Sequence, residues 1–433
     1  MPSVFLISVL LATSAPSASS DWPGFLGAGA SPIAPESIPL EWSADRNLAW
    51  QTDLPGDGQS SPVVWNGRVY ITSVEGPMKE TIHLMAFDLE SGQKVWTCSR
   101  PASTKVKSSL YVSRAAPTPV VDSDGVYAFF ESGDLVATDH DGNVRWTRSL
   151  TKDFGPFENK FCIGSSVAQL NDSIFVLADH EGPSYVMAIR KKDGSDIWKT
   201  DRESRVSWSS PAIIDVDGEA HLVVSSSGSV DGYDPQNGKR TWSISDVGGN
   251  TVATPVAFDN GKFLVGASAG ERGQYAQIAP QSNLAAQIVM KDGNPSVEKL
   301  WTAKKALASF ASPIVYQGLA YWVNNVGVVF CFDAQTGELK YDGRLEQSCW
   351  ATPVGIGDRI YFFGKDGVTT VLAAGPEYKK LAVNQLWRPE DIQVESNDRG
   401  AQMFGGRIQY GVAVANGNLL IRTGNILYCV RKM

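Results

Sequence analysis

A short pattern recurs along the chain and limits its possible folds more than any other feature. The stretch AFDLESGQKVW (86–96) joins two apolar runs through a polar turn that contains glycine. Further copies ending in an aromatic residue occupy 136–146, 188–198, 231–242 and 331–341. Self-similarity at a period of about 40 to 50 residues is typical of solenoids and propellers.

Two sequence marks alternate along the chain and count the repeats. The first is the aromatic residue that ends each copy, at Trp50, Trp96, Trp146, Trp198, Trp242, Trp301, Tyr341 and Trp387. The second is a small residue followed by proline and β-branched residues, at 61, 118, 210, 254, 312 and 352, with copies at 166 and 411 that lack the proline. Because each mark occurs eight times in strict alternation, the sequence predicts eight structural units.

Between the marks, apolar and polar residues alternate with period 2, as in VYAFFESGDLVATD (126–139). This alternation predicts short antiparallel strands. Radial stacking of four-stranded sheets buries both faces of each sheet. We therefore expect an all-β fold, an eight-bladed β-propeller of four-stranded antiparallel blades. The N-terminal strand at 47–50 would close the last blade beside 419–430, which removes two exposed sheet edges.

The turn of each copy has its own chemistry. A glycine supplies the positive-φ position of a short hairpin, and an aspartate before it caps the turn through its carboxylate. The glycines are Gly92, Gly142, Gly194, Gly238 and Gly337, and the aspartates are Asp88, Asp139, Asp234 and Asp333. We expect the aromatic residues that end the blades to pack between neighbouring blades.

Composition and the N-terminal segment restrict the class of protein. The 433 residues include 38 basic and 46 acidic ones, a net charge of -8, which argues against a nucleic-acid surface. Residues 1–20 are typical of a secretory signal peptide, and their apolar run is too short to span a membrane. We expect residues 21–433 to form a single propeller domain, monomeric and exported to the periplasm or the extracellular space.

Cysteines and histidines do not indicate a metal centre. The five cysteines form no CxxC or CxxCH motif, so neither a zinc site nor a haem site is predicted. The four histidines are scattered without an i, i+4 pair, and the acidic turns do not follow the EF-hand spacing. Cys331 and Cys349 lie in adjacent predicted blades, so a disulfide between them is an open alternative.

Long connections identify one face of the predicted propeller as the candidate binding surface. Three segments from a blade-end aromatic residue to the next proline mark are long (96–119, 146–167 and 387–412), and 268–283 is an insertion. All four emerge on the same face, called here the loop-rich face. Its candidate contact residues are Tyr111, Arg114, Phe161, Trp208, Phe310, Trp350, Asp398, Arg399 and Tyr410. Two interpretations are open: the aromatic residues plug the central funnel, or they form a ligand platform.

The repeat resembles the PQQ-repeat (pyrroloquinoline-quinone-like) propellers, whose blades carry the docking motif A-x-D-x-x-T-G-x-x-x-W. The first predicted blade matches it at Ala86, Asp88, Ser91, Gly92 and Trp96. Blades two and six repeat it at Ala137, Asp139, Gly142 and Trp146, and at Phe332, Asp333, Thr336, Gly337 and Tyr341. The resemblance covers residues 40–433, and the opening DWPGFLG (21–27) is similar to the start of other exported PQQ-repeat proteins.

The resemblance implies two kinds of function, because the family contains both BamB-like scaffolds and quinoprotein dehydrogenases. We favour a non-catalytic exported scaffold that holds a protein partner on the loop-rich face and needs no cofactor. The first alternative is a PQQ- and Ca-dependent dehydrogenase, with Trp208 or Trp350 stacking on the cofactor and calcium ligands from 391–398. The second alternative is a carbohydrate-binding propeller that uses Trp208, Trp350 and Tyr410 as stacking platforms.

Overall fold

Each repeat forms one sheet, as the period-2 pattern predicts. The computed structural model describes residues 21–27, 33–34, 38–107, 109, 112–268, 276–388, 390 and 408–433. Eight four-stranded antiparallel blades are arranged in a ring as an eight-bladed β-propeller, and a short strand near the N-terminus adds a fifth, parallel strand to the sheet of the seventh blade. The predicted signal peptide lies outside the described residues.

The strands follow one another from the axis outward within each blade. Two strands precede the first blade: β1 (Ile33–Ala34) and β2 (Leu48–Asp53). Blade one contains β3 (Val63–Trp65), β4 (Arg68–Glu75), β5 (Thr81–Asp88) and β6 (Lys94–Pro101). Blade two contains β7 (Val120–Val121), β8 (Val126–Phe129), β9 (Asp134–Thr138) and β10 (Val144–Ser149). Blade three contains β11 (Ala168–Leu170), β12 (Ser173–Ala178), β13 (Ser184–Arg190) and β14 (Asp196–Arg202).

The second half of the ring repeats this order. Blade four contains β15 (Ala212–Val216), β16 (Glu219–Ser226), β17 (Ser229–Tyr233) and β18 (Arg240–Ile244). Blade five contains β19 (Val256–Phe258), β20 (Lys262–Val265), β21 (Leu284–Lys291) and β22 (Asn294–Thr302). Blade six contains β23 (Ile314–Tyr316), β24 (Leu319–Val323), β25 (Val328–Asp333) and β26 (Leu339–Arg344). Blade seven contains β27 (Val354–Ile356), β28 (Arg359–Phe363), β29 (Val368–Ala373) and β30 (Lys380–Gln385).

Blade eight closes the ring with strands from both ends of the chain. Its inner strands are β31 (Gly411–Ala415), β32 (Asn418–Arg422) and β33 (Ile426–Val430). The outer strand β2 pairs antiparallel with β33, with Gln51 opposite Tyr428. The predicted closure by the N-terminal strand is therefore confirmed.

Two short helices lie in the loops of the propeller. Helix α1 (Leu150–Phe154) follows β10 and begins at Ser149, whose hydroxyl accepts the backbone N–H of Lys152 at 3.4 Å. A 3₁₀ helix (Ala276–Gln281) lies in the insertion between β20 and β21. Within the described residues, no helix has the length and apolarity needed to cross a membrane.

The tryptophan that ends a blade joins that blade to the next one. The indole N–H of Trp96 donates to the carbonyl of His140 in blade two at 2.8 Å. A Cβ at Gly142, which has φ +86°, would lie 2.7 Å from the Trp96 ring, so a larger residue does not fit there. The same indole bond to the next blade links Trp50 to Leu89, Trp146 to Lys191, Trp198 to Pro235 and Trp301 to Ala334.

The other three predicted blade-end aromatic residues pack differently, and Trp387 lies beyond the end of β30, where Ala382 takes the paired position that Trp96 has in blade one. Trp242 stacks on Phe263 with the ring centroids 5.9 Å apart, and Trp387 stacks on Tyr428 at 5.4 Å. Among the described residues, the indole nitrogens of Trp242 and Trp387 have no hydrogen-bond partner. Tyr341 meets the edge of Tyr378 at 5.7 Å. In each of the five bonded pairs a Cβ at the glycine of the following hairpin would touch the indole ring, whereas a Cβ at Gly293 or Gly375, in the hairpins after Trp242 and Tyr341, would meet nothing within 4 Å. The indole bond therefore accompanies the close approach of the motif glycine.

The aspartates cap their turns as predicted. The carboxylate of Asp88 accepts the backbone N–H and the hydroxyl of Ser91 at 2.8 and 2.7 Å, and Asp333 accepts both groups from Thr336. The hydrogen bond from the Ser91 hydroxyl is the main reason that the pKa of Asp88 lies below its ordinary value of 3.8. The hydrogen bond from the backbone N–H of Thr336 is the main reason that the pKa of Asp333 is lowered.

We expect these turns to make the fold sensitive to acid. A carboxylate whose pKa is lower in the folded state stabilises the protein above its unfolded pKa, and this contribution is lost as the pH falls through the folded pKa. The double variant Asp88→Asn, Asp333→Asn should therefore lose less stability than the wild type on acidification below pH 3.8. Thermal melts from neutral to acidic pH measure this, with Asp45→Asn, outside the motif, as the control. Parallel curves for the double variant and the wild type would contradict the prediction.

Candidate ligand-binding cavity at the propeller axis

A ring of hydroxyl groups lines the axis where the inner strands begin. The backbone N–H of Ser61 donates to Oγ1 of Thr118 at 2.9 Å, and the N–H of Thr118 donates to Oγ of Ser166 at 3.0 Å. The same bond at 2.9 or 3.0 Å joins Ser166 to Ser210, Ser210 to Thr254, Thr254 to Ser312 and Ser312 to Thr352. The hydroxyls thus connect blades one to seven. They belong to the first residue of the second sequence mark, for which the sequence analysis noted only a small side chain. The signal that could have shown this role is that all seven copies are Ser or Thr.

Blade eight has glycine at the equivalent position. A Cβ at Gly411 would lie 2.4 Å from Oγ and 2.6 Å from Cα of Ser61. Since the second contact is with the backbone, no side chain fits at this position. The ring of hydroxyls is therefore interrupted at blade eight, because the inner strands of blades eight and one approach too closely to leave room for a side chain.

The N-terminal segment Asp21–Gly27 forms the floor of the axial space. Trp22 and Val64 exchange backbone hydrogen bonds at 2.9 and 2.8 Å, and the N–H of Val121 donates to the carbonyl of Pro23 at 2.9 Å. Trp22 and Leu26 are buried, and with Phe25 they line a small cavity of about 20 Å³ beside Gly411 and Thr352. In the sequence, this segment was notable only because it is similar to the start of other exported PQQ-repeat proteins. Its position across the inner strands is known only from the structure.

A cavity of about 950 Å³ lies between the hydroxyl ring and the loop-rich face. Its aromatic lining consists of Phe25, Phe161, Trp208, Phe310, Trp350 and Tyr410. Its polar lining includes Gln59, Ser61, Ser113, Thr118, Ser166, Ser210, Ser227, Thr251, Thr254, Ser268, Ser309, Ser312, Asn324 and Asn325. Among the described residues that line it, none is charged. The cavity therefore combines aromatic faces with neutral hydrogen-bonding groups.

The aromatic residues are held in fixed positions at the mouth of the cavity. Phe310 and Trp350 stack with centroids 4.2 Å apart and planes at 17°. The indole N–H of Trp208 donates to the carbonyl of Cys162 at 2.8 Å, and its ring contacts Phe161 at 6.0 Å. Phe161 and Phe310 are 38% and 37% exposed, so their rings are accessible from solvent.

The structure brings five of the nine candidate contact residues together. Phe161, Trp208, Phe310, Trp350 and Tyr410 all line the cavity. Three others, Tyr111, Asp398 and Arg399, lie outside the described residues.

Arg114, the remaining candidate, lies behind the cavity wall. Its guanidinium pairs with Asp57 at 2.7 Å and donates to the hydroxyl of Tyr410 at 3.2 Å. Burial raises the pKa of Tyr410. Arg114 therefore positions Tyr410 instead of facing the cavity.

A buried ion pair that the sequence did not indicate supports another part of the wall. Lys79 and Glu131 lie 2.8 Å apart, with side chains 2% and 1% exposed. Glu131 also accepts the backbone N–H of Ala115 at 3.0 Å, and Lys79 donates to the carbonyl of Ser113. This pair fixes residues 112–116 of the loop-rich face, but no local pattern marks Lys79 or Glu131.

The described lining of the cavity contains no carboxylate that could hold a calcium ion. Calcium takes six to eight oxygen ligands, commonly including carboxylates. In the described part of the chain no group of three or more His, Cys, Asp or Glu side chains is arranged to hold a metal ion. The calcium ligands predicted at 391–398 lie outside the described residues. The five cysteines are all described and are free thiols, so Cys331 and Cys349 form no disulfide.

Comparison with known proteins places this fold in a family. A family model described as outer membrane protein assembly factor BamB matches residues 41–161 and 163–341. No curated protein sequence matches the chain.

Solved structures show the same fold at low sequence identity. BamB from Moraxella catarrhalis is 13% identical with a TM-score of 0.58, over 89% of this chain and 99% of that one. The quinohemoprotein alcohol dehydrogenase from Comamonas testosteroni is 11% identical with a TM-score of 0.59, over 95% and 80%. A europium-containing methanol dehydrogenase is 12% identical with a TM-score of 0.58, over 89% and 88%. Because the family model covers most of the chain, this protein belongs to the PQQ-repeat propeller family of the outer membrane protein assembly factor BamB.

Proposed function

We propose that this protein is an exported, non-catalytic scaffold that binds a protein partner through its loop-rich face. The observation that carries the proposal is the exposure of Phe161 and Phe310 on loops that are held in place. Aromatic side chains dominate the binding energy of protein interfaces. A surface fixed before binding loses less conformational freedom when the partner arrives.

The anchoring of the loops supports this function. The connection 102–119 is tied to blade two by the Lys79–Glu131 pair, and Arg114 within it pairs with Asp57. In the connection 150–167, the Trp208 indole bond to Cys162 holds the segment beside Phe161. The family description as an assembly factor agrees with a binding role, and residues 1–20 support export.

Removal of the two exposed rings should abolish partner binding. We expect Phe161→Ala, Phe310→Ala to reduce recovery of a stoichiometric partner at least tenfold in affinity purification after mild crosslinking. The matched control is Val144→Ala, Val383→Ala, which removes side chains that are 40% and 43% exposed on outer strands. Equal recovery with both double variants, or a wild-type chain that purifies without any stoichiometric partner, would contradict the proposed function.

A further inference from the structure

The absence of charge in the described lining of the axial cavity selects for a neutral ligand. Behind the wall, Arg114 pairs with Asp57 at 2.7 Å and Lys79 with Glu131 at 2.8 Å, while the buried Arg422 donates to neutral oxygens of Ser60, Thr423 and Gly424. A carboxylate or phosphate that entered the cavity would lose its hydration without meeting an opposite charge among the described lining residues, which is costly. The described lining therefore disfavours anionic ligands, including PQQ with its carboxylates.

The hydroxyl ring selects for a ligand that both donates and accepts hydrogen bonds. A Ser or Thr hydroxyl has one donor hydrogen and two acceptor lone pairs. Each ring hydroxyl from Thr118 to Thr352 uses one lone pair for the N–H of the preceding blade, which leaves a donor and a lone pair. Six ring residues line the cavity: Ser61, Thr118, Ser166, Ser210, Thr254 and Ser312. Such a surface matches the hydroxyl groups of a polyol, which have the same dual character.

The stacked aromatic pair supplies a flat apolar platform next to these polar groups. Phe310 and Trp350 lie at the mouth with their planes at 17°, and Trp208 lines the cavity as well. A sugar ring has an apolar face of C–H groups and an edge of hydroxyls, so it can use both surfaces at once. The volume of about 950 Å³ is at the upper end of the range of about 300–1,000 Å³ for small-molecule sites. It accommodates several sugar residues.

From these features we infer that the axial cavity is a binding site for a neutral oligosaccharide, which stacks on Phe310 and Trp350 and hydrogen-bonds to the hydroxyl ring. A hydrophobic peptide from a partner would use the aromatic pair but would leave the ring hydroxyls without equivalent partners. This site does not require the protein partner proposed above, because the ligand contacts only residues of this chain.

The test uses the isolated chain and a glycan array that contains neutral and acidic oligosaccharides, with each hit measured again by isothermal titration calorimetry. PQQ with Ca²⁺ is titrated separately as an anionic probe. We expect binding of neutral oligosaccharides that Trp350→Ala and, independently, Phe310→Ala weaken at least tenfold. Phe310→Ala should retain the wild-type melting temperature, since its ring is 37% exposed. Tyr378→Ala, an aromatic deletion in the hairpin between β29 and β30, is the matched control and should bind as the wild type does.

Three results would overturn the inference. The first is the absence of binding by any neutral oligosaccharide at concentrations up to about 10 mM, where even a weak complex is populated. The second is binding restricted to acidic glycans or to PQQ with Ca²⁺. The third is neutral binding that Trp350→Ala and Phe310→Ala leave unchanged. None of these results bears on partner recovery, so the two proposals fail separately.

Discussion

Replacement of Arg202 by methionine is expected to lower the free energy of unfolding by about 3–5 kcal/mol, because it leaves buried carboxylates without their partner. Arg202 ends β14, and its guanidinium lies 2.8 Å from Asp179 and 3.1 Å from Asp231. The three side chains are 3%, 0% and 1% exposed. Arg202 also donates to the hydroxyl of Tyr233 in blade four, so the cluster joins blades three and four.

Urea unfolding of Arg202→Met measures this cost. The control is Arg46→Met, which removes an ion pair with Glu41 whose side chains are 65% and 57% exposed. Exposed pairs contribute about 0–1 kcal/mol, so the control should unfold close to the wild type. Addition of Asp179→Asn and Asp231→Asn to Arg202→Met should recover part of the loss, because the uncompensated charge is removed. Similar midpoints for Arg202→Met and Arg46→Met would show that the cluster does not stabilise the blade interface.

Replacement of Trp198 by alanine is expected to cost about 3–5 kcal/mol, as for other buried tryptophans. Trp198 is 8% exposed and packs against Phe175 at 6.0 Å. Its indole N–H donates to the carbonyl of Pro235 at 2.9 Å, and a Cβ at Gly238 would lie 2.4 Å from the ring. The substitution therefore removes packing and a hydrogen bond between blades three and four.

Phenylalanine at the same positions separates the two contributions. Trp198→Phe loses ring volume and the bond to Pro235, whereas Trp242→Phe loses ring volume only, since Trp242 has no indole partner among the described residues. We expect Trp198→Phe to cost about 0.5–1.5 kcal/mol more than Trp242→Phe, the usual net value of a hydrogen bond. Trp242→Ala should still cost about 3–5 kcal/mol, because Trp242 is 7% exposed. Equal costs for the two phenylalanine variants would mean that the indole bond adds nothing to blade docking.

Local sequence patterns carried most of the information about the fold. Alternation with period 2 predicted the strands, and the motif aspartates and glycines predicted the turns of the hairpins that contain them, because both depend on residues close in sequence. The count of eight blades and the closure by Leu48–Asp53 followed from the order of the marks and are confirmed by the sheet order. The same spacing placed Trp208, Phe310 and Trp350 near the axis, where they line one cavity.

The sequence by itself thus determined the eight-bladed architecture and the position of the aromatic residues around the axis. Only the tertiary structure decided what surrounds them: the hydroxyl ring, the floor formed by Asp21–Gly27 and the buried pairs behind the wall. These features join residues far apart in the chain. The Nε of Arg114 meets Asp57, and the guanidinium of the buried Arg422 donates to Ser60 across 362 positions. The neutral and polar character of the described lining depends on such contacts, which exist only once the ring has closed.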